Sequence, residues 1–435
     1  MKILVLTNLY PPHHAGTGDL RCESIVDNLK LRGHEMLVLT SLHGMINEIV
    51  DENVARRLVL NGVYGHPPVL EMAALKPLEL HNHAVLRETL EQFQPDLILV
   101  FSLRGLSKSL IFGLQQARKP VVYDVADPWL AEDIKQDPWL RWWNHTGGNA
   151  LRKLQELTGQ RTKVDALAPT RPLPTQNRLP ELFGDGVKVP AAVPNSITSF
   201  RFDHIYFISE SLKQATEQAG FKVSHAQVIS PGIATQTFVS EVKPPTAPME
   251  KLLFVGRLAK RCGLLTAARA MQVLRTKQVK ASLSVYGRGD SGYVAEARSF
   301  ISLQRLPVEF LPVSNAQRDL PALFRQHDCL LYTAEEPEAC PLTPLQAMVS
   351  GLPVIGTAVG GTCELFRHGE NALTFTPRAH EELAARIMEL GSQPALRCKI
   401  AETGQAEVMS KFSETVMMDQ IEGCLETARQ NWQAH

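Results

Sequence analysis

Residues 338–364 place polar side chains at each junction between a loop, a helix and a strand. The stretch reads EACPLTPLQAMVSGLPVIGTAVGGTCE. We predict that Thr343 caps a helix, with Pro344 in the first turn and Gln346 three residues after the cap. The apolar run LPVIGT predicts a buried strand, and the Gly-Gly pair after it allows a turn whose backbone approaches a ligand. Helix N-termini and glycine turns at strand ends bind phosphates in doubly wound folds, so this stretch predicts a site for a nucleotide-like ligand.

A second group of chemically useful residues follows the predicted strand KLLFVG. Arg257 comes directly after that strand, and Lys260 and Arg261 follow one turn later. Glycine leaves room for a ligand, and arginine offers two parallel hydrogen bonds to phosphate oxygens. This pattern favours a pyrophosphate as the ligand, and solvated surface cations are the open alternative.

The segment LSVYGRGDSG contains a G-x-G-x-x-G pattern at Gly287, Gly289 and Gly292. Such a pattern after a strand is typical of dinucleotide-binding folds, although by itself it is a weak signal. An NAD(P) site also needs an acidic residue about 20 positions further on. Glu309 is a loose match to that requirement.

The sequence around these residues predicts repeated strand–helix units, which must position them. The chain opens with the strand KILVLTN, a helix that ends near Gly33 and the strand MLVLTS; buried strands are also predicted at 95–102 and 120–127. Strands that alternate with helices predict a parallel sheet. Asp124 and Asp127 lie at the carboxyl end of the last of these strands, where either could supply a polar group. For Asp127, a cap before the following Pro-containing turn is the open alternative.

Composition narrows the class of protein. The 435 residues suit two to three domains, and 45 basic against 45 acidic side chains give no indication of nucleic acid binding. Seven cysteines occur without a C-x-x-C pair, which favours a reducing compartment and not a zinc site. The apolar run at the N-terminus is too short for a signal peptide, and no window has the length of a membrane span. We therefore expect a cytoplasmic protein.

Residues 338–364 resemble the signature of the family-4 retaining glycosyltransferases, which have the GT-B fold of two facing Rossmann-like domains. In that signature a Glu, a second Glu, the sequence GLPV and a Gly-Gly-x-x-Glu follow one another. Here Glu338 matches the first Glu, Gln346 stands at the second, and Gly360, Gly361 and Glu364 supply the last element. The segments YPP and RGHEMLVLT are similar to the family's N-terminal half.

The resemblance implies roles for individual positions. The first Glu approaches the donor sugar, the residue at the second Glu position hydrogen-bonds the ribose, and Arg257 neutralises the leaving diphosphate. The family's Lys position falls on Cys262, so Lys260 or Arg261 must replace that lysine, and the family's His position in the first domain falls on Ala126. The implied catalytic residues are Glu338, Asp127 and Arg257. The implied donor-binding residues are Gly16, Thr17, Arg257, Lys260, Arg261, Gly287, Gly289, Glu338, Pro341, Leu342, Thr343, Gln346 and Glu364.

The same resemblance implies the domain organisation. Residues 1–240 form an acceptor-side domain, residues 241–410 a nucleotide-sugar-binding domain, and residues 411–435 a helix that packs back on the first domain. The proline-rich segment 136–199 has no periodicity and holds three of the five tryptophans, so it predicts an irregular insertion. Its aromatic residues could bind an acceptor sugar or a membrane interface, or could simply seal the insertion onto the domain.

The implied function is that of an enzyme, a metal-independent and configuration-retaining glycosyltransferase of glycan or polysaccharide biosynthesis. Its donor is a UDP-, GDP- or ADP-linked sugar, it needs no cofactor, and its acceptor is a glycan, a lipid-linked glycan or a small molecule. A peripheral membrane contact stays open, and no nucleic acid partner is expected. Two alternatives stay open: a catalytically weakened GT-B protein that serves as a binding or scaffold subunit, and an NAD(P)-dependent oxidoreductase.

Overall fold

The structure, a computed structural model, describes residues 1–14, 17–44, 51–133, 137–138, 200–244, 246 and 248–433. The chain divides into two compact units. The first contains Met1–Ile208, Leu212–Ile229 and Met418–His435, and the second contains Ser209–Ser211 and Ser230–Met417. The change between them at 229–230 lies before the boundary at 240–241 that is predicted from the sequence.

The first unit is built on a seven-stranded sheet in the order β3-β2-β1-β4-β5-β6-β7. All of its paired strands run parallel. Its strands are β1 (Lys2–Leu6), β2 (Glu35–Ser41), β3 (Val54–Leu58), β4 (Leu97–Val100), β5 (Val121–Val125), β6 (His204–Phe207) and β7 (Gln227–Val228). The central strands are apolar runs because parallel strands are covered by helices on both faces.

The helices of the first unit fall between these strands, as a doubly wound sheet requires. They are α1 (Thr17–Leu31), α2 (Met72–Phe93), α3 (Ser109–Gln116), α4 (Trp129–Asp133) and most of α5 (Glu210–Gln218). The last helix of the chain, α14 (Glu414–Gln433), enters this unit from Met418 onward. Within the unit, Arg32 holds that helix through Asp419 at 2.7 Å and Glu422 at 2.7 Å.

The second unit repeats the design with a six-stranded sheet in the order β10-β9-β8-β11-β12-β13, again with parallel pairs. Its strands are β8 (Lys251–Val255), β9 (Ser282–Tyr286), β10 (Val308–Phe310), β11 (Cys329–Tyr332), β12 (Val354–Thr357) and β13 (Leu373–Phe375). Its helices are α6 (Thr235–Phe238), α7 (Leu264–Thr276), α8 (Ser291–Leu303), α9 (Ala316–Gln326), α10 (Leu342–Val349), α11 (Thr362–Leu365), α12 (His380–Ser392) and α13 (Pro394–Lys411).

The core of the second unit has two layers, one on each face of the sheet. Leu252 and Ile355 face a cluster that includes α7, α8 and α12, whereas Leu253 and Val354 face a cluster that includes α9 and α10. Alternate residues of one strand therefore lie in different layers. This arrangement fixes the strand ends, and with them the loops that carry the candidate site.

The predicted fold class is confirmed: each unit is a parallel sheet covered by helices. The predicted strands at 95–102 and 120–127 and the predicted first helix are also confirmed. Nearly all of the predicted insertion at 136–199, with its three tryptophans, lies outside the described residues. No helix in the described parts of the chain combines the length and the apolar character that crossing a bilayer requires.

Candidate functional site

The candidate site lies at the carboxyl edge of the second unit's sheet. Parallel strands end at the same edge, so the loops after β8, β9, β11 and β12 meet there. Backbone contacts join these loops: Leu258 pairs with Gly289, and Glu338 pairs with Gly360. The N–H of Glu335 also donates to the carbonyl of Arg261 at 2.7 Å. Four loops that are distant in sequence thus form one continuous surface.

The loop after β8 holds its shape through Gly263 and Thr333. Gly263 has φ +72°, and a Cβ at this position would lie 1.9 Å from the carbonyl oxygen of Thr333. The Thr333 hydroxyl lies 2.9 Å from the carbonyl oxygen of Cys262 and 3.0 Å from that of Gly263. No side chain fits between these two loops, so only glycine is compatible with this packing.

The cations of this loop point to solvent. Arg257, Lys260 and Arg261 are exposed, and no described acidic side chain forms an ion pair with them. The charge of Arg261 acts instead on the neighbouring thiol of Cys262. Burial and the nearby carboxylate of Glu338 raise the pKa of that thiol, while Arg261 opposes the rise. Three positive charges thus remain available for an anion.

The glycines of the G-x-G-x-x-G pattern pack two loops together. A Cβ on Gly287 would lie 1.9 Å from the carbonyl oxygen of Gly256, and one on Gly289 would lie 2.1 Å from that of Leu258. Asp290 caps α8 by accepting the N–H of Tyr293 at 2.7 Å. Both glycines therefore serve the contact between the loops after β8 and β9.

The position of this pattern does not favour an NAD(P) site. In dinucleotide-binding folds the fingerprint follows the first strand of the unit, whereas Gly287 follows β9, the second strand. Glu309 lies on β10, and its Oε1 accepts the Ser284 hydroxyl at 2.8 Å. The acidic residue is thus engaged within the sheet.

Glu338 lies in the loop between β11 and α10 and is half-buried. Its Oε2 accepts the hydroxyl of Tyr332 at 2.9 Å, and its backbone carbonyl accepts the N–H of Gly361 at 2.8 Å. No other described group hydrogen-bonds its carboxylate, so Oε1 remains an open acceptor. The side chain is fixed at one oxygen and available at the other.

Helix α10 begins two residues earlier than predicted. Its N-cap is Pro341, and no side chain caps it, so the prediction that Thr343 is the cap was wrong. Pro341 and Pro344 have no N–H, so the free donors of the first turn are the N–H groups of Leu342 and Thr343. No described group accepts from them, and they lie at the positive end of the helix dipole. Gln346 lies in the next turn, half-buried and without a described side-chain hydrogen bond. This helix end can bind an anion or a hydroxyl.

The turn after β12 completes the edge. Gly360 has φ +60°, and a Cβ on Gly361 would lie 1.9 Å from the carbonyl oxygen of Ala339. Glu364 lies in the first turn of α11. Its two carboxylate oxygens accept the N–H groups of Glu210 and Ser211 at 2.9 Å each, and both of these residues group with the second unit. Glu364 therefore has a structural partner for each oxygen.

The site residues predicted in the first unit are Gly16, Thr17 and Asp127. Gly16 lies outside the described residues, and Thr17 is the first residue of α1. The Oδ1 of Asp127 accepts the N–H of Trp129 at 2.8 Å and the Arg104 guanidinium at 2.9 Å. The open alternative for Asp127, a cap before the turn that contains Pro128, therefore describes its contacts.

Asp124 is inaccessible. Its side chain is fully buried, and its Oδ2 accepts Arg21 Nη1 at 2.5 Å and the Tyr206 hydroxyl at 2.8 Å. The side chain of Arg21 is 10% exposed. Sequence reasoning did not identify this pair, because Arg21 is one polar residue on a helix 103 positions away.

Sequence reasoning also missed Tyr332 and Thr333. Both follow the apolar run CLL at the end of β11, and a polar end on a buried strand is the signal that could have identified them. Among the described residues, no group of three or more metal-binding side chains is present.

Comparison with known proteins gives a family match within the second unit. Residues 238–407 match the family model described as "Glycosyl transferases group 1". An uncharacterized glycosyltransferase of Methanocaldococcus jannaschii is 28% identical over 37% of this chain and 41% of its own length. Glycogen synthase of Mycobacterium tuberculosis is 25% identical over 48% of this chain and 52% of its own length. The chain thus spans about half the length of these curated relatives.

Structural similarity extends over both units. The solved structure of Anabaena HepE in complex with UDP and glucose superposes with a TM-score of 0.63 and 21% identity, over 98% of this chain and 99% of that one. This likeness agrees with two parallel sheets in the orders described above. The chain has the GT-B fold, and residues 238–407 in its second unit match the group 1 glycosyltransferase family model.

Proposed function

We propose that this protein is a glycosyltransferase that moves a sugar from a nucleotide-sugar donor to a carbohydrate, lipid-linked or small-molecule acceptor. The observation that carries the proposal is the family match over residues 238–407, because it contains every loop of the carboxyl edge described above. In that edge an open carboxylate oxygen, an uncapped helix N-terminus and three exposed cations lie on joined loops. A donor with a sugar, a nucleoside and a diphosphate needs these three kinds of group.

The proposed role of the cations is to bind the diphosphate. Arg257 follows β8 directly, and Lys260 and Arg261 lie in the short 3-10 helix at Lys260–Cys262. A departing diphosphate gains negative charge, and fixed positive groups stabilise that charge most in the transition state. The N–H groups of Leu342 and Thr343 add two oriented dipoles. We propose that this set replaces a metal ion.

The proposed role of Glu338 is to bind the donor sugar. Oε2 is held by Tyr332, so Oε1 is the oxygen that meets a sugar hydroxyl or the developing positive charge at the anomeric carbon. Gln346 offers a neutral amide to the ribose, and that hydrogen bond is weaker than one to a carboxylate. Transfer with retained configuration then proceeds with the leaving phosphate accepting the proton of the acceptor hydroxyl.

Asp127 stays a predicted contributor from the first unit. Its Oδ1 is engaged by Trp129 and Arg104, while its side chain is 44% exposed. Asp127→Asn keeps the shape and the contact with Trp129. We expect this variant to retain donor binding, so any loss of transfer would assign it to the reaction.

The donor base is proposed to be uracil, guanine or adenine. UDP is bound by HepE, the structural relative above, and this chain's choice among the three is a matter for experiment. From the isolated cysteines we also propose a cytoplasmic location, with a peripheral membrane contact and a lipid-linked acceptor still open.

The first test is a thermal-shift panel of the purified protein with UDP, GDP, ADP and NAD(P). At 100 times its Kd a ligand stabilises the folded state by about 2.7 kcal/mol, which raises the Tm by roughly 5 to 11 °C for a unit of this size. We expect one nucleoside diphosphate to produce this shift. Release of that diphosphate from the matching nucleotide sugar is then followed by chromatography.

Two lysine variants form a matched pair for this test. Lys260→Ala removes a charge from the proposed site, and Lys280→Ala removes one from the opposite edge of the same sheet, just before β9. We expect only the first to reduce the shift, and Arg257→Ala to reduce it further. No shift with any nucleotide would favour the scaffold alternative, which is motivated by Gln346 and Cys262 at signature positions. A shift with NAD(P) alone would favour the oxidoreductase.

A further inference from the structure

Tyr332 is held in a fixed position beneath Glu338. It is the last residue of β11 and is 8% exposed. In the sheet it lies opposite Gly356 of β12. A Cβ on Gly356 would lie 2.6 Å from the ring of Phe366 and 3.3 Å from the Cβ of Tyr332. The Phe366 ring therefore occupies space next to residue 356 that is free only because this residue is a glycine.

Phe366 in turn supports the tyrosine ring. The two rings meet edge to face, with centroids 6.2 Å apart and planes at 74°. Such a geometry is favourable for aromatic pairs and restricts the ring of Tyr332. The hydroxyl is consequently held where it donates a hydrogen bond to Oε2 of Glu338 at 2.9 Å.

The tyrosine hydroxyl keeps its proton under all working conditions. Burial, followed by the charge of Glu338, raises the pKa of Tyr332 far above its ordinary value. The phenol is therefore a permanent donor to the carboxylate. It anchors Oε2, leaves Oε1 as the only oxygen of Glu338 without a described partner, and limits rotation about the last torsion of the side chain.

We propose that Tyr332 is a positioning residue for Glu338, with Phe366 and Gly356 as its support. This inference rests on the proposed function, because it assumes that Glu338 meets the donor sugar. Tyr332 itself does not touch the donor. It fixes which carboxylate oxygen is presented and in which direction, so its contribution belongs to the turnover step more than to the binding of the nucleotide.

The test compares Tyr332→Phe with Tyr286→Phe. Tyr286 is a matched control: it is also the last residue of a strand, 3% exposed, and its hydroxyl donates to a carboxylate, Asp319 Oδ2, at 2.8 Å. The assay measures release of nucleoside diphosphate from whichever of UDP-glucose, GDP-mannose and ADP-glucose the wild-type protein turns over. Affinity for that diphosphate is measured separately by calorimetry.

We expect Tyr332→Phe to lower kcat about tenfold, as for loss of a hydrogen bond to a charged group, and to leave the Kd of the diphosphate unchanged. Tyr286→Phe should lower stability alone. In a Glu338→Gln background, Tyr332→Phe should have little further effect on kcat, since it acts through Glu338. Gly356→Ala should reproduce the loss of kcat by displacing Phe366.

Two outcomes would overturn the inference while leaving the proposed function intact. One is wild-type kcat in Tyr332→Phe. The other is an equal loss of kcat in the wild-type and Glu338→Gln backgrounds, which would show that the phenol acts independently of Glu338. If the wild-type protein turns over none of the three nucleotide sugars and binds none of the diphosphates, the proposed function fails and this inference fails with it.

Discussion

Replacement of Asp124 by Asn should lower stability sharply without affecting turnover. The substitution leaves Arg21 charged in a site where its side chain is 10% exposed, without its counter-ion. Removing one partner of a buried ion pair costs about 3–5 kcal/mol. The intact cluster is already imperfect, because Arg21 Nε and Nη2 and Asp124 Oδ1 have no partner among the described residues. We therefore expect a loss of about 3 kcal/mol, at the low end of that range.

For a unit of this size, such a loss lowers the Tm by roughly 6 to 12 °C. The assay is thermal unfolding of the full chain, with release of nucleoside diphosphate measured well below the lower Tm. The triple variant Arg21→Met, Asp124→Leu and Tyr206→Phe removes all three polar groups together and should recover most of the stability. A wild-type Tm for Asp124→Asn combined with lost turnover would refute this reasoning and assign Asp124 to the reaction.

Three further perturbations follow from the geometry. Gly263→Ala should lower the Tm and weaken the diphosphate binding measured by calorimetry. An alanine in the left-handed region costs about 1–2 kcal/mol, and its Cβ would lie 1.9 Å from the carbonyl oxygen of Thr333. An unchanged Tm would contradict this packing. Although burial opposes ionisation, hydrogen bonds led by Arg367 lower the pKa of Glu407 to about 2. Its carboxylate therefore stabilises the fold above about pH 4.5 and loses that effect as the pH falls toward 2. In Glu407→Gln, the free energy of unfolding measured in urea should depend less on pH over this range. Burial lowers the pKa of His83 to about 3, so stability should fall as the pH drops from about 6.5 to 3; His83→Gln should remove that dependence, and a persisting slope would count against it.

The sheets could be predicted from the sequence because parallel strands are buried on both faces. Runs such as KILVL and VVYDV are apolar almost throughout, and helices with apolar stripes separate them. This pattern also locates the carboxyl edge, where the loops must lie. Residue types then indicate the ligand class, as they do for Arg257 and Glu338.

The start of α10 could not be predicted from the same kind of reasoning. In the sequence P-L-T-P, a proline is compatible with several positions of a first helical turn, since its missing N–H is unsatisfied there in any case. Thr343 offered a hydroxyl and fitted the expected cap. The helix instead starts at Leu342, because the loop before it is fixed by the contacts of Glu338 with the turn at Gly360.

Pairs that are distant in sequence were beyond prediction for a different reason. Arg21 and Asp124 are each ordinary residues in their own elements, and only the order of strands in the first sheet brings α1 next to β5. A single sequence shows which residues could be polar partners, whereas the choice among them depends on the packing of the whole unit.

The candidate site is formed to a large extent by backbone. Added side chains at Gly263, Gly287, Gly289 and Gly361 would each lie within 2.1 Å of a carbonyl oxygen of a neighbouring loop. The loops therefore approach one another closely, and the hydroxyls of Thr333 and Thr362 donate hydrogen bonds to loop carbonyls. Under the proposed function, recognition of a donor is divided among helix N–H groups, cations and one positioned carboxylate. Under this division a neutral residue such as Gln346 weakens one contact of several, and for that reason its presence at a signature position is compatible with an active enzyme.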